Sequence, residues 1–161
     1  MAVFAATRAN IPAIRELLAG APQPPYETAA SIAGHLDDPA ISLFFDDALD
    51  AFCWVAASEQ RPRLTIVWLW PRLARADLLP LLHAAIADAV QRHGAEDWEV
   101  TATFQDGRDA EGVADKGRAD GQAWKAVVSA LRQRYRGDVD LHEIYGTARD
   151  VLAGLEEASG P

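Results

Sequence analysis

Cysteine is almost absent from this chain. Cys53 is the only one, which rules out an intramolecular disulfide and leaves no basis for a cysteine-built zinc site. It lies in the apolar run Ala51-Phe52-Cys53-Trp54-Val55, where a small core residue is expected. Basic charge is also scarce: 15 Lys and Arg stand against 24 Asp and Glu, a net charge of -9. Nucleic acids and anionic membranes recruit basic faces, so neither is expected as a partner. Arg61, Arg63, Arg72 and Arg75 bracket one strand-like run, and a solvated rim accounts for them. No apolar stretch is long enough to span a bilayer. The opening residues, Met1 to Arg8, lack the basic start and long apolar region of a secretory leader, so a cytoplasmic protein, or one built into an assembly made there, is expected.

What is present is ordinary for a globular chain. Of 161 residues, 50% are hydrophobic and 24% charged, enough for one domain over residues 1–161 with a substantial core. The periodicity of apolar residues divides it. Val3 to Thr7 suits a short strand. Asn10 is placed to cap a helix with Pro12 in its first turn and Ile11, Ile14, Leu17 and Leu18 on one side. A second helix is expected from Glu27 to Leu36. Ile41–Phe45, Ala51–Ala57 and Leu64–Trp70 read as a three-strand meander, with Asp46-Asp47-Ala48-Leu49-Asp50 and Glu59-Gln60-Arg61-Pro62 as its turns. Leu64–Trp70 does not alternate, which places it at the centre of the sheet. A helix from Leu78 to His93 ends at Gly94, with Leu78, Leu81, Leu82, Ala85, Ile86 and Ala89 on one stripe and Val90 at its margin. Trp98 to Phe104 alternates as a strand does. Residues 105–122 are glycine-rich and charged, and read as a long loop. A helix from Ala123 to Tyr135, a strand from Val139 to Tyr145 and a short helix from Thr147 to Ala158 complete the chain. There is no internal repeat.

One junction carries the functional question. The apolar run Leu64–Trp70 stops at Pro71, and Arg72-Leu73-Ala74-Arg75-Ala76-Asp77 leads into the next helix without a glycine. A helix N-terminus after a strand offers free N–H groups and a positive dipole end to an anion. Glycines normally allow the close backbone approach that a phosphate needs.

The order of elements resembles the GNAT acyltransferase superfamily. The likeness is carried by Thr7-Arg8-Ala9-Asn10-Ile11-Pro12-Ala13-Ile14 as its opening strand and helix and by the Phe44 to Val55 hairpin as its second and third strands. Leu64–Pro71 and the following helix stand for its central strand and cofactor helix. It spans residues 3 to 104 well and the rest loosely. It implies an α+β fold: a GNAT-like mixed sheet of about six strands with helices on both faces, plus a C-terminal helical extension over residues 146–161. In that family the turn reads Arg/Gln-x-x-Gly-x-Gly/Ala and holds the pyrophosphate of acyl-coenzyme A. Here only Arg72 fits. Arg75 puts a side chain where the backbone must approach, Asp77 competes for the same N–H groups, and Pro80 removes a donor. The tyrosine that the family supplies as general acid has no counterpart at the start of the Ala123 helix, and nothing places Tyr135 or Tyr145 at a reacting centre.

Other candidate chemistry is sparse. None of the four histidines, His35, His83, His93 and His142, pairs with another ligand at metal spacing. His83 beside the apolar stripe reads as a core or rim residue before it reads as a general base. His93 suits a helix C-terminus. Asp106, Asp109, Glu111, Asp115 and Asp120 do not follow a calcium-loop spacing. Trp68 and Trp70, two apart on a strand, share a face, which either packs beneath a helix or serves a protein interface.

These readings converge on a GNAT-fold protein that has lost acyl-CoA catalysis, with no catalytic residue, no metal and no cofactor. It would serve as a structural or interaction module for a protein partner or for copies of itself, for example in a phage particle. The alternative is an acyl-CoA-dependent N-acetyltransferase that binds acetyl-CoA with Arg72 and Arg75 in place of glycine amides. A third reading is a small-molecule binder that uses the cleft without catalysis.

Overall fold

The computed structural model describes residues 3–19, 28–48, 50–70, 79–105, 136–138 and 141–158; at 67–70, 102–105, 136–138, 141–145 and 158 the description is of the backbone. The order is β1 (Val3–Ala5), α1 (Ile11–Ala19), α2 (Ala29–Asp37), β2 (Ile41–Asp46), β3 (Ala51–Ser58), β4 (Arg63–Trp70), α3 (Leu79–His93), β5 (Glu99–Gln105), β6 (Arg136–Asp138), β7 (Leu141–Thr147) and α4 (Ala148–Ala158). The strands form one mixed sheet in the order β1-β2-β3-β4-β5-β7-β6, with β4 at its centre. Only β4 and β5 run parallel; every other pair is antiparallel. Six of these strands match the sequence expectation. The seventh, Arg136–Asp138, has no strand-like composition, since glycine and aspartate disfavour strands. It forms by pairing along the outer edge of β7. The helix expected from Ala123 to Tyr135 and the loop after Gln105 lie outside the described residues.

Alternation along the meander sorts its side chains onto two faces. Leu43, Phe45 and Phe52 pack with Ile11, Ile14 and Leu18 of α1 and Ile32 of α2. Ala51, Cys53, Val55, Leu64, Ile66 and Val100 pack on the other face with α3 and α4. From α3 come Leu79, Leu81, Leu82, Ala85, Ile86, Ala89 and Val90, all buried, and from α4 come Val151 and Leu155. Helices therefore cover both faces.

The helix ends follow local chemistry. Asn10 is not itself the cap: residues 8–10 form a short 3-10 turn, and the Asn10 carboxamide accepts from the Thr7 N–H at 2.8 Å. Thr28 and Ser31 cap α2 reciprocally, at 3.1 and 2.9 Å. Gly94 adopts φ +60, and the Ala95 N–H donates to the Val90 carbonyl at 3.2 Å, closing a Schellman turn at the end of α3. The first N–H groups of α4, from Ala148 and Arg149, donate to the carbonyls of Trp98 and Glu96, both at 2.9 Å, and Asp150 N–H donates to Thr147 Oγ1 at 3.2 Å. In the β2–β3 turn Asp46 Oδ1 accepts from Ala48 N–H at 2.9 Å and Asp50 takes φ 48, a conformation aspartate tolerates.

A polar clamp fixes α3 across the sheet. Ser42 Oγ on β2, 2% exposed, donates to Asp88 Oδ2 at 2.7 Å, and Asp88 also meets Arg92 Nε at 3.0 Å. Truncating the core under α3, Leu82→Ala, should lower unfolding free energy by about 2–5 kcal/mol in urea denaturation. Gly94→Ala should cost about 1–2 kcal/mol from backbone strain alone, since nothing lies within 4 Å of the added Cβ.

Candidate functional site

The two parallel strands start together and then part. Their ladder runs Arg63↔Glu99, Leu64↔Val100, Thr65↔Thr101 and Ile66↔Ala102, and among the described residues it ends there. An Arg63–Glu99 ion pair at 3.5 Å marks the closed end. Beyond Ile66, β4 continues for four residues to Trp70, still paired with β3; beyond Ala102, β5 continues to Gln105, still paired with β7.

The cause of the parting is visible in the register. On the β3 side, Val55 pairs with Ile66 and Trp54 with Trp68, so Val67 is an extra residue in β4. Such a bulge bends its strand and increases the local twist. It falls immediately after the last β4–β5 pair. The result is a slot lined by the facing peptide edges of residues 67–70 and 103–105. An extended ligand that carries amide groups can complete both edges as an added strand would. Crevices at the carboxyl ends of parallel strands, where connections diverge, are favoured ligand sites.

The two faces beside the slot differ. On one, α3 follows β4 with its first turn at Leu79 to Leu82; this turn holds no acidic residue, and Pro80 within it has no N–H to offer. Arg72, Arg75 and Asp77, the residues on which the phosphate question turns, lie outside the described residues. On the other face stands Trp54 of β3, in register with Trp68 of the splayed stretch. The His35 ring of α2 packs on the Trp54 indole, with centroids 4.3 Å apart and planes at 45°. The indole nitrogen of Trp54 is closed off from solvent and has no hydrogen-bond partner. Trp70 pairs in register with Phe52.

The other candidate residues lie away from the slot or outside the described side chains. His83 Nε2 lies 3.2 Å from Glu156 Oε1, a partly exposed pair tying α3 to α4. His93 is 12% exposed, with Nε2 3.1 Å from the Pro39 carbonyl and its ring stacked 6.0 Å from Trp98. His142 and Tyr145 sit on β7 in register with Phe104 and Thr101, and Tyr135 lies outside the described residues. No cluster of metal-ligating side chains occurs among the described residues. No helix among them is long and apolar enough to cross a membrane. Cys53 is fully buried, and burial pushes its thiol far above the usual range by desolvating the thiolate. Its thiol should therefore resist alkylation in the native protein at mildly alkaline pH and react fully in denaturant, as mass spectrometry would show.

No family model matches the sequence, and no curated protein sequence matches it. Solved structures do. A chimera of the Vibrio cholerae spermidine N-acetyltransferase SpeG and hSSAT superposes with a TM-score of 0.60 at 12% identity, over 93% of this chain and 96% of that one. A mutant of the V. cholerae SpeG enzyme superposes with a TM-score of 0.58 at 11% identity, over 93% and 95%. The bulged, parting pair of parallel strands with helices on both faces thus sits in the GNAT-like α+β fold of these acetyltransferases.

Proposed function

We propose that this protein is an acyl-CoA-dependent N-acyltransferase. The observation that carries the reading is the slot between β4 and β5, held open by the Val67 bulge. A purely structural module gains nothing from parting two central strands, since each lost ladder bond leaves peptide groups to be satisfied otherwise. The described residues fit the pantetheine arm of coenzyme A: it is extended, carries amides, and matches two free peptide edges. Bound there, the thioester supplies an activated acyl group. The chain orients that group, and the two faces of the sheet give the two substrates separate approaches: phosphates toward the start of α3, the amine from the side of Trp54 and His35. Arg72 and Arg75 take over from glycine amides by contacting the phosphates with their guanidinium groups. Spermidine, the acceptor named for both structural neighbours, is the first amine to try.

A second reading has its own support. Pro80 in the first turn of α3, and the absence of glycine from the sequence of residues 71–77, both oppose a backbone phosphate cradle. They favour a GNAT-fold interaction module that binds a protein partner or copies of itself, in an assembly such as a phage particle.

Calorimetric titration with acetyl-CoA separates the two. Micromolar binding, weakened about tenfold by Arg72→Ala or Arg75→Ala, is expected. Deleting Val67, which restores one-to-one pairing of β3 and β4, should abolish that binding while leaving the circular dichroism spectrum unchanged. Absence of binding to the unaltered protein, with a defined oligomer in light scattering, would sink the enzyme reading in favour of the module.

A further inference from the structure

The sheet ends on one side at β6, whose composition calls for an explanation. Arg136-Gly137-Asp138 has little strand preference, and among the described residues β6 pairs only along β7. The outer peptide edge of such a strand is a template for a further strand. Proteins guard edges of this kind with charge, which works when every copy brings the same sign to the same place. β6 departs from that pattern: one positive and one negative residue flank a glycine.

The consequence follows from how a second copy lies against it. Residues two apart on a strand share a face, so Arg136 and Asp138 occupy the same side of the sheet. Antiparallel pairing of β6 with its own copy, about a two-fold axis through Gly137, sets Arg136 opposite Asp138 of the second copy. The same axis sets Asp138 opposite Arg136 of the second copy. Gly137 meets Gly137 there, with no side chain at the axis. The row continues inward, since Glu143 of β7 stands in register with Arg136 on its other side. Across the junction the signs alternate: Glu143, Arg136, then Asp138 of the second copy.

Other arrangements fail on charge. An axis through residue 136 opposes two arginines, and one through residue 138 opposes two aspartates. Parallel pairing in register opposes both pairs of like charges. Opposite charges directly across a ladder stabilise it, and like charges weaken it. The rest of the surface gives copies little reason to meet, because a chain of net charge -9 repels itself. An edge where the two signs cancel is the exception. We infer that β6 is a self-docking edge: two copies join by antiparallel β6–β6 pairing centred on Gly137, so that one sheet runs through both. The interface is isologous, the commonest form in homodimers. It goes beyond both functional readings and is independent of them, since β7 and β5 separate β6 from the slot.

Three paired residues bury much less than the roughly 1,600 Å² of a standard interface, so the dimer is weak and concentration-dependent. Sedimentation equilibrium at low salt should show it. Asp138→Arg leaves two positive charges on the edge, and Arg136→Asp leaves two negative ones. Each variant should raise the dissociation constant at least about tenfold. Mixed in equal amounts, the two should recover the dimer of the unaltered protein, because each positive position then faces a negative one. Circular dichroism checks that both variants fold. Should Arg136→Asp not fold, because it places a carboxylate opposite Glu143, the salt response of Asp138→Arg decides. Added salt should weaken the dimer of the unaltered protein, where it screens attraction, and strengthen that of Asp138→Arg, where it screens repulsion. A monomer at every concentration overturns the inference. So does a dimer that Asp138→Arg leaves intact, a pair of folded variants that fails to recover on mixing, or a salt response of the same sign in both proteins.

Discussion

The extra residue at Val67 sets the terms for the centre of this molecule. Without it, β4 would pair one-to-one with β3, and nothing in the register would turn it away from β5. With it, the parallel ladder lasts four pairs and then opens. A bulge in a central strand is tolerable here because each strand keeps one antiparallel neighbour, while the peptide edges between the two strands stay free. Residues 68–70 stay in register with β3, and residues 103–105 stay in register with β7. The strands flanking the opening are thus each anchored by an antiparallel neighbour, which is what keeps the slot from closing or unravelling.

The packing around the slot follows the same logic. α3 is clamped to the sheet in its C-terminal half by the Ser42–Asp88–Arg92 network and ended by the Gly94 turn. The buried stripe from Leu79 to Val90 supplies the hydrophobic hold, and the polar clamp sets its rotation. On the opposite face α1 and α2 cover Phe45 and Phe52, while Trp54 is covered in part by His35. Two faces of one sheet thereby acquire different chemistry: an aliphatic one under α3, and an aromatic one beside α2.

Much of the fold was legible in the sequence. The meander of Ile41–Trp70, the helix stripe ending at Gly94 and the alternation of Trp98–Phe104 are strong periodic signals, and each appears within a residue or two of its expected bounds. The short strand Arg136–Asp138 was not legible, because its residues carry no strand preference and pairing alone creates it. The slot was not legible either. A bulge is a mismatch between two strands, and a single run such as Leu64–Trp70 contains nothing that marks Val67 as surplus. The pairing of His35 with Trp54 joins residues from α2 and β3 that no local pattern relates. What the sequence does make visible is the glycine-free stretch after Trp70, which together with Asp77, Pro80 and the absence of a tyrosine from the start of the Ala123 segment points toward lost catalysis. The open slot is the feature on which the proposed reaction rests.

The short parallel ladder has a mechanical consequence. β1 to β4 form one antiparallel block and β5, β7 and β6 form another. Within the sheet, four residue pairs join them among the described residues, backed by the Glu99 N–H to Pro62 carbonyl hydrogen bond and by the layer of α3 and α4 laid across one face. The seam of the molecule therefore coincides with its opening. A ligand that completed both peptide edges would act as a splice across the seam, so that occupancy of the slot and stiffness of the whole sheet become a single property.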